Sequence, residues 1–229
     1  AAETSMTDWL GVTLAAGMRL GYDPWLHTET ERRRLEKVCA KAGAHLIQVP
    51  DNPIDAIWQG QPAQPVTPIV AHPVKYAGLA SDKKRKQVAE FLDRNGLDAC
   101  VLTAPESVAW LLNIRGRDVP CTPVSLGYAV IQAAGGIELF TDPKKMSPGL
   151  DKHLGPEVVV LESEALTAEL GHLGTRGSRV GVEFVRAPAK VVTTLQGAGA
   201  EVIDIGDPTT LPKADTSQLK LMATAASVR

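Results

Sequence analysis

Short β-branched runs alternate with amphipathic stretches along almost the whole chain, and that alternation limits the fold more than any other feature. MRLGY, AHLIQV, LDACVLT, PVSLGYAVIQ, GIELF, VVVLES, SRVGVE and AEVIDI each have the length and composition of a strand. Between them lie segments with apolar residues at helical spacing. In TETERRRLEKVCAKAG these are Leu35, Val38, Cys39 and Ala42, with Gly43 as the stop. In SDKKRKQVAEFLDRNG they are Val88, Phe91 and Leu92, with Ser81 as the cap and Gly96 as the stop. Residues 9–16, PESVAWLL, 165–171 and 188–197 complete the helical set, and Asn52 caps a short helix with Pro53 at its first position. Strands alternating with helices predict an α/β fold. PVSLGYAVIQ and GIELF turn back on each other across Ala134-Gly135-Gly136, so the larger sheet is mixed rather than purely parallel.

Four prolines, Pro62, Pro65, Pro68 and Pro73, fall within the thirteen residues from Gln61 to Pro73. They hold that segment extended and mark the boundary between two α/β parts. The part before it has about two strands, which bury too little to stand alone, so it reads as the rear of a domain. The apolar start of a helix at residues 215–228, with Leu219 and Met222, reads as a lead into something further, and the chain as a piece of a longer protein.

A formal net charge of −2 supplies no basic field for nucleic acid. No apolar run approaches the roughly 20 residues of a membrane span, and the first residues lack a signal pattern. Three widely spaced cysteines, Cys39, Cys100 and Cys121, each beside apolar sequence, read as buried reduced thiols and so as cytoplasmic. The five histidines, His27, His45, His72, His153 and His172, form no pair with metal-ligand spacing. His72 reads as a pin for the connector. No phosphate loop or nucleophile elbow is present, and Gly197-Ala198-Gly199 is a helix stop. Glu162 and Glu164 sit where a solvated helix start puts them. No catalytic residue and no metal ligand is assigned.

One loop concentrates polar groups between two hydrophobic segments: Asn113, Arg115, Arg117 and Asp118. Guanidinium groups suit the gripping of carboxylates and carbonyls by several hydrogen bonds at once. Two readings stand. Arg115 and Asp118 brace the loop by a salt bridge and backbone hydrogen bonds, or an arginine leans over a ligand site supplied by another domain.

NPIDAIWQGQP (52–62), HPVKYAGLASDKKRK (72–86) and ESVAWLLNIRGRDVPCTPVSLGYAVI (106–131) closely resemble the non-catalytic region of cytosolic-type aminopeptidase P, a creatinase/prolidase superfamily member. GYDP (21–24) and LPKADTSQLKLM (211–222) fit the same template in the same order. The resemblance implies a partial creatinase/prolidase N-terminal-like domain at residues 1–63, a connector at 64–73, a second related α/β domain at 74–212, and at 213–229 the start of a helix leading to an absent catalytic domain. In relatives that domain holds two divalent metal ions, usually manganese, and a metal-bound hydroxide attacks the carbonyl before proline. The substrate implied is a peptide with proline at its second position, and the assembly a homodimer. Asn113, Arg115, Arg117 and Asp118 match the motif facing substrate access, while the fragment alone is expected to hold no cofactor and to be inactive. A stand-alone binding module, or a fragment of a prolidase or creatinase-like enzyme, is the alternative.

Overall fold

In the computed structural model, residues 5–210 are described. By their contacts they fall into two compact units, residues 5–63 with 184–193, and residues 64–183 with 194–210.

The first unit contains α1 (Met6–Thr13), β1 (Arg19–Tyr22), α2 (Glu29–Ala42), β2 (His45–Gln48) and α3 (Pro53–Ile57). β1 and β2 pair in parallel, Arg19 opposite His45. Thr28 and Glu31 close a capping box at the start of α2, so two orphan N–H groups are satisfied reciprocally. Gly43 ends the helix at φ 69°, a conformation glycine adopts without a Cβ penalty. Leu10, Tyr22, Leu35 and Ala189 form a small buried cluster, with Leu14, Leu20, Val38 and Leu46 packed on it.

The second unit is built on a sheet of β4 (Ala99–Leu102), β6 (Tyr128–Gln132), β7 (Ile137–Phe140), β8 (Val158–Leu161), β9 (Arg179–Val182) and β10 (Glu201–Asp204), in the order β10-β9-β4-β6-β7-β8. β6 runs antiparallel to both neighbours, and β7 pairs in parallel with β8. The mixed sheet and the hairpin expected from the glycine turn are therefore present. The carboxyl ends of β4, β7, β8, β9 and β10 all lie at one edge. Around the sheet are α4 (Val74–Ala77), α5 (Ser81–Arg94), α6 (Pro105–Leu111), α7 (Leu150–Leu154) and α8 (Leu166–Thr175). α9 (Ala189–Ala198) begins in the first unit and ends in the second. The core gathers Val88 and Leu92 of α5, Leu111 and Leu112, and Cys100, Ile131 and Leu139 from the strands.

The structure corrects several expectations. Ser81 is the first residue of α5 rather than its cap; Ala80 holds the cap position, and the Ser81 hydroxyl donates to the Leu111 carbonyl at 2.9 Å. The connector is extended as expected, and its end is also paired: β3 (Val70–Ala71) runs antiparallel to β5 (Ile114–Arg115). Cys39 and Cys100 are buried as expected, but Cys121 is exposed, on a tight turn at φ 60°. The helix expected at 215–228 lies outside the described residues. Among the described residues no helix is long and apolar enough to cross a membrane.

Candidate functional site

The polar loop leaves α6 with its apolar face buried and turns sharply at Asn113, whose φ is 51°. Asparagine tolerates this left-handed conformation better than most residues. Both polar atoms of the buried Asn113 amide are hydrogen-bonded. Its Oδ1 accepts from Lys84 Nζ at 2.6 Å and its Nδ2 donates to the Leu79 carbonyl at 2.9 Å. Its own carbonyl accepts the His72 backbone N–H at 2.7 Å, and His153 Nε2 lies 3.0 Å away. His72 thus pins the connector through its main chain.

Lys84 is fully buried. Its Nζ also donates to the Trp110 carbonyl at 3.0 Å and stands 4.3 Å from the centre of the Trp110 ring. Burial, with the Arg115 guanidinium adding to it, lowers this ammonium to about 8.

The four residues singled out in the sequence separate into anchors and an arm. The Arg115 Nη1 turns inward and donates to the carbonyls of Ile114 at 2.7 Å and Ala109 at 3.2 Å. Asp118 is buried and is paired with Lys145 at 2.7 Å rather than with Arg115, which corrects the expected salt bridge. Its two oxygens also accept from the Thr67 hydroxyl at 2.6 Å, the Thr67 N–H at 3.3 Å, the Leu126 N–H at 2.7 Å and the Ser125 hydroxyl at 3.0 Å. Burial opposes ionisation of this carboxyl. Lys145, Thr67, the Leu126 amide and Ser125 outweigh it and hold the group down at about 2. Asp118 therefore ties the connector, the loop and the turn at Pro143–Lys145 to one point. Arg117 is exposed, its backbone N–H held by the Thr67 hydroxyl at 3.0 Å. Gly116 lets the loop close on itself, because a Cβ there would stand 2.8 Å from Ser125 Cβ.

Lys84, Lys145, Thr67 and Ser125 were not singled out from the sequence. For Lys84 a signal existed: it lies four residues before Val88 and eight before Leu92, on the same stripe of α5.

At the edge where the strands' carboxyl ends converge, a cleft of about 710 Å³ opens beside Tyr128, Thr103, Lys144 and the expected surface carboxylates Glu162 and Glu164, both exposed. Among the described residues no group of three or more His, Cys, Asp or Glu side chains could hold a metal ion.

The model of the Creatinase/Prolidase N-terminal domain family matches residues 60–216. The chain belongs to this family. Its curated relatives include a probable Xaa-Pro aminopeptidase P of Coccidioides posadasii (strain C735), 31% identical over 177 residues. That alignment covers 77% of this chain and 27% of the relative. A probable Xaa-Pro aminopeptidase P of Penicillium rubens is 32% identical over 76% of this chain and 28% of its own length. This chain therefore spans little more than a quarter of those relatives. Among solved structures, the X-prolyl aminopeptidase of Caenorhabditis elegans, described as a cytosolic enzyme with a di-nuclear active site, superposes with a TM-score of 0.81. The match covers 90% of this chain and 34% of that one at 24% identity, and establishes the shared fold.

Proposed function

We propose that this chain is the N-terminal, non-catalytic region of a cytoplasmic, metal-dependent Xaa-Pro aminopeptidase. The parent removes the N-terminal residue from peptides with proline at the second position. The observation that carries this reading is the alignment of about three-quarters of the chain with proteins named Xaa-Pro aminopeptidase P, of which it covers little more than a quarter. The division into 1–63, 64–73, 74–212 and 213–229 goes with it, the last part lying outside the described residues. Two divalent ions, manganese by the family's habit, belong to the parent's catalytic domain. The described residues offer no fitting ligand set, so no chemical step is assigned to them.

The region's part is then to shape access to the catalytic site and to support a homodimer. Asn113, Arg115 and Asp118 set the loop, and Arg117 is its arm, a delocalised cation suited to peptide carbonyls or a terminal carboxylate. The test has two arms. The purified 229-residue chain should leave Xaa-Pro peptides intact with or without manganese, and turnover by it would overturn the non-catalytic assignment. In the parent enzyme, Arg117→Ala should raise KM for longer Xaa-Pro peptides at unchanged kcat, with Arg117→Lys partly restoring it. An unchanged KM would remove the substrate-access role.

A further inference from the structure

The connector joins the polar loop at a point where main-chain pairing fails. β3 and β5 pair with Val70 opposite Arg115 and Ala71 opposite Ile114, and the His72 N–H donates to the Asn113 carbonyl in the same register. Counted on in that register, Pro68 falls opposite Arg117. Proline has no N–H to give, so the ladder stops there. Thr67 takes over with its side chain. Its Oγ1 accepts the Arg117 N–H at 3.0 Å and donates to Asp118 Oδ1 at 2.6 Å. A hydroxyl has one proton, and the Asp118 carboxylate at neutral pH only accepts. The proton therefore goes to Asp118, and a lone pair is left for Arg117.

The platform under that hydroxyl is stiff. Thr67 is β-branched and precedes a proline, so its χ1 and its backbone are both restricted. Its own N–H also donates to Asp118, at 3.3 Å. Two residues on, the buried Ile69 is clamped by the turn beyond Pro143. Its N–H donates to the Lys145 carbonyl at 2.7 Å, and its carbonyl accepts from the Ser147 hydroxyl at 2.5 Å. We propose that Thr67 is a positioning residue for Arg117: through this hydroxyl the connector fixes the main chain beneath the exposed guanidinium, and so sets how it meets a long peptide. The proposal rests on the reading of Arg117 as the arm of the access loop.

Ser125 supplies the comparison, because its hydroxyl donates to the other oxygen of the same carboxylate, at 3.0 Å, without bonding Arg117. Two measurements test the proposal. In the 229-residue chain, Thr67→Val removes the acceptor while Asp118 keeps Lys145, Ser125 and the Leu126 amide, so the fold is retained. Exchange of the Arg117 amide should quicken about tenfold. Thr67→Ser should return it to the wild-type rate, and Ser125→Ala should move it less than Thr67→Val does. In the parent enzyme, Thr67→Val should raise KM for longer Xaa-Pro peptides about fivefold, the worth of one neutral hydrogen bond, at unchanged kcat. Thr67→Ser should restore KM, and with Arg117→Ala already in place Thr67→Val should add nothing. Unchanged Arg117 exchange in Thr67→Val, or an equal effect from Ser125→Ala, would overturn the proposal. So would a rise in KM that persists in full once Arg117 is replaced. If Arg117→Ala itself leaves KM unchanged, the access reading fails, and amide exchange still decides whether Thr67 positions the loop.

Discussion

Replacing Asp118 by asparagine tests the anchoring of the loop most sharply. The carboxylate is buried and accepts from Lys145, Thr67, Ser125 and the Leu126 amide. An asparagine keeps the shape but gives up the charge, leaving the buried Lys145 ammonium without its ion partner. Breaking one side of a buried pair costs about 3–5 kcal/mol. The carboxyl's pKa gives an independent measure. It is held at about 2 in the fold, against an ordinary value of 3.8, a difference worth about 2–3 kcal/mol. That stability is fully present above about pH 4 and is lost as pH falls toward about 2, because the unfolded carboxyl takes its proton first. In urea, the variant's midpoint should fall by about 1–3 M at neutral pH for ordinary slopes. Amide exchange should speed at Leu126 and Thr67, the two backbone donors. Asp118→Asn combined with Lys145→Met should recover much of the loss, since no unpaired charge remains. An unchanged midpoint, or wild-type and variant losing stability in parallel between pH 4 and 2, would refute the reasoning.

Three other outcomes follow from the same geometry. Lys84 is depressed to about 8 from 10.5 by burial, so the fold should gain stability as pH rises through that interval, by about 3 kcal/mol; urea unfolding at pH 7.5 and 10 should show the gain in the wild type and lose it in Lys84→Met. Gly174→Ala would drive a Cβ into Ala198, whose backbone carbon stands 2.8 Å from that position. It should cost about 1–3 kcal/mol as over-packing, read as a lowered Tm, and an unchanged Tm would refute it. A thiol reagent should label only Cys121 in the native chain, because Cys39 and Cys100 are buried and burial pushes both thiols up; all three should react after denaturation.

The elements were legible where local pattern and burial agree. The stripe of Leu35, Val38 and Cys39 marked α2, and Ala134-Gly135-Gly136 marked the turn between β6 and β7. β3 and β5 were not legible, because a two-residue strand has no period and exists only through its distant partner. The loop's polar residues could be named from the sequence, but not their partners. KKRK reads as a solvated charge run, yet the helical turn carries Lys84 inward beneath Asn113. Lys145 lies 27 residues from Asp118, too far for any local rule to pair them.

The size of the native polypeptide that contains this sequence tests the central claim most directly. An antibody raised against the 229-residue chain, applied to cells that make it, should detect a product about three to four times longer, since the chain covers 27–28% of its relatives. That product, once purified, should release the residue before proline in a manganese-dependent reaction. A native product of 229 residues without such activity would contradict the account and leave a free-standing binding module in its place.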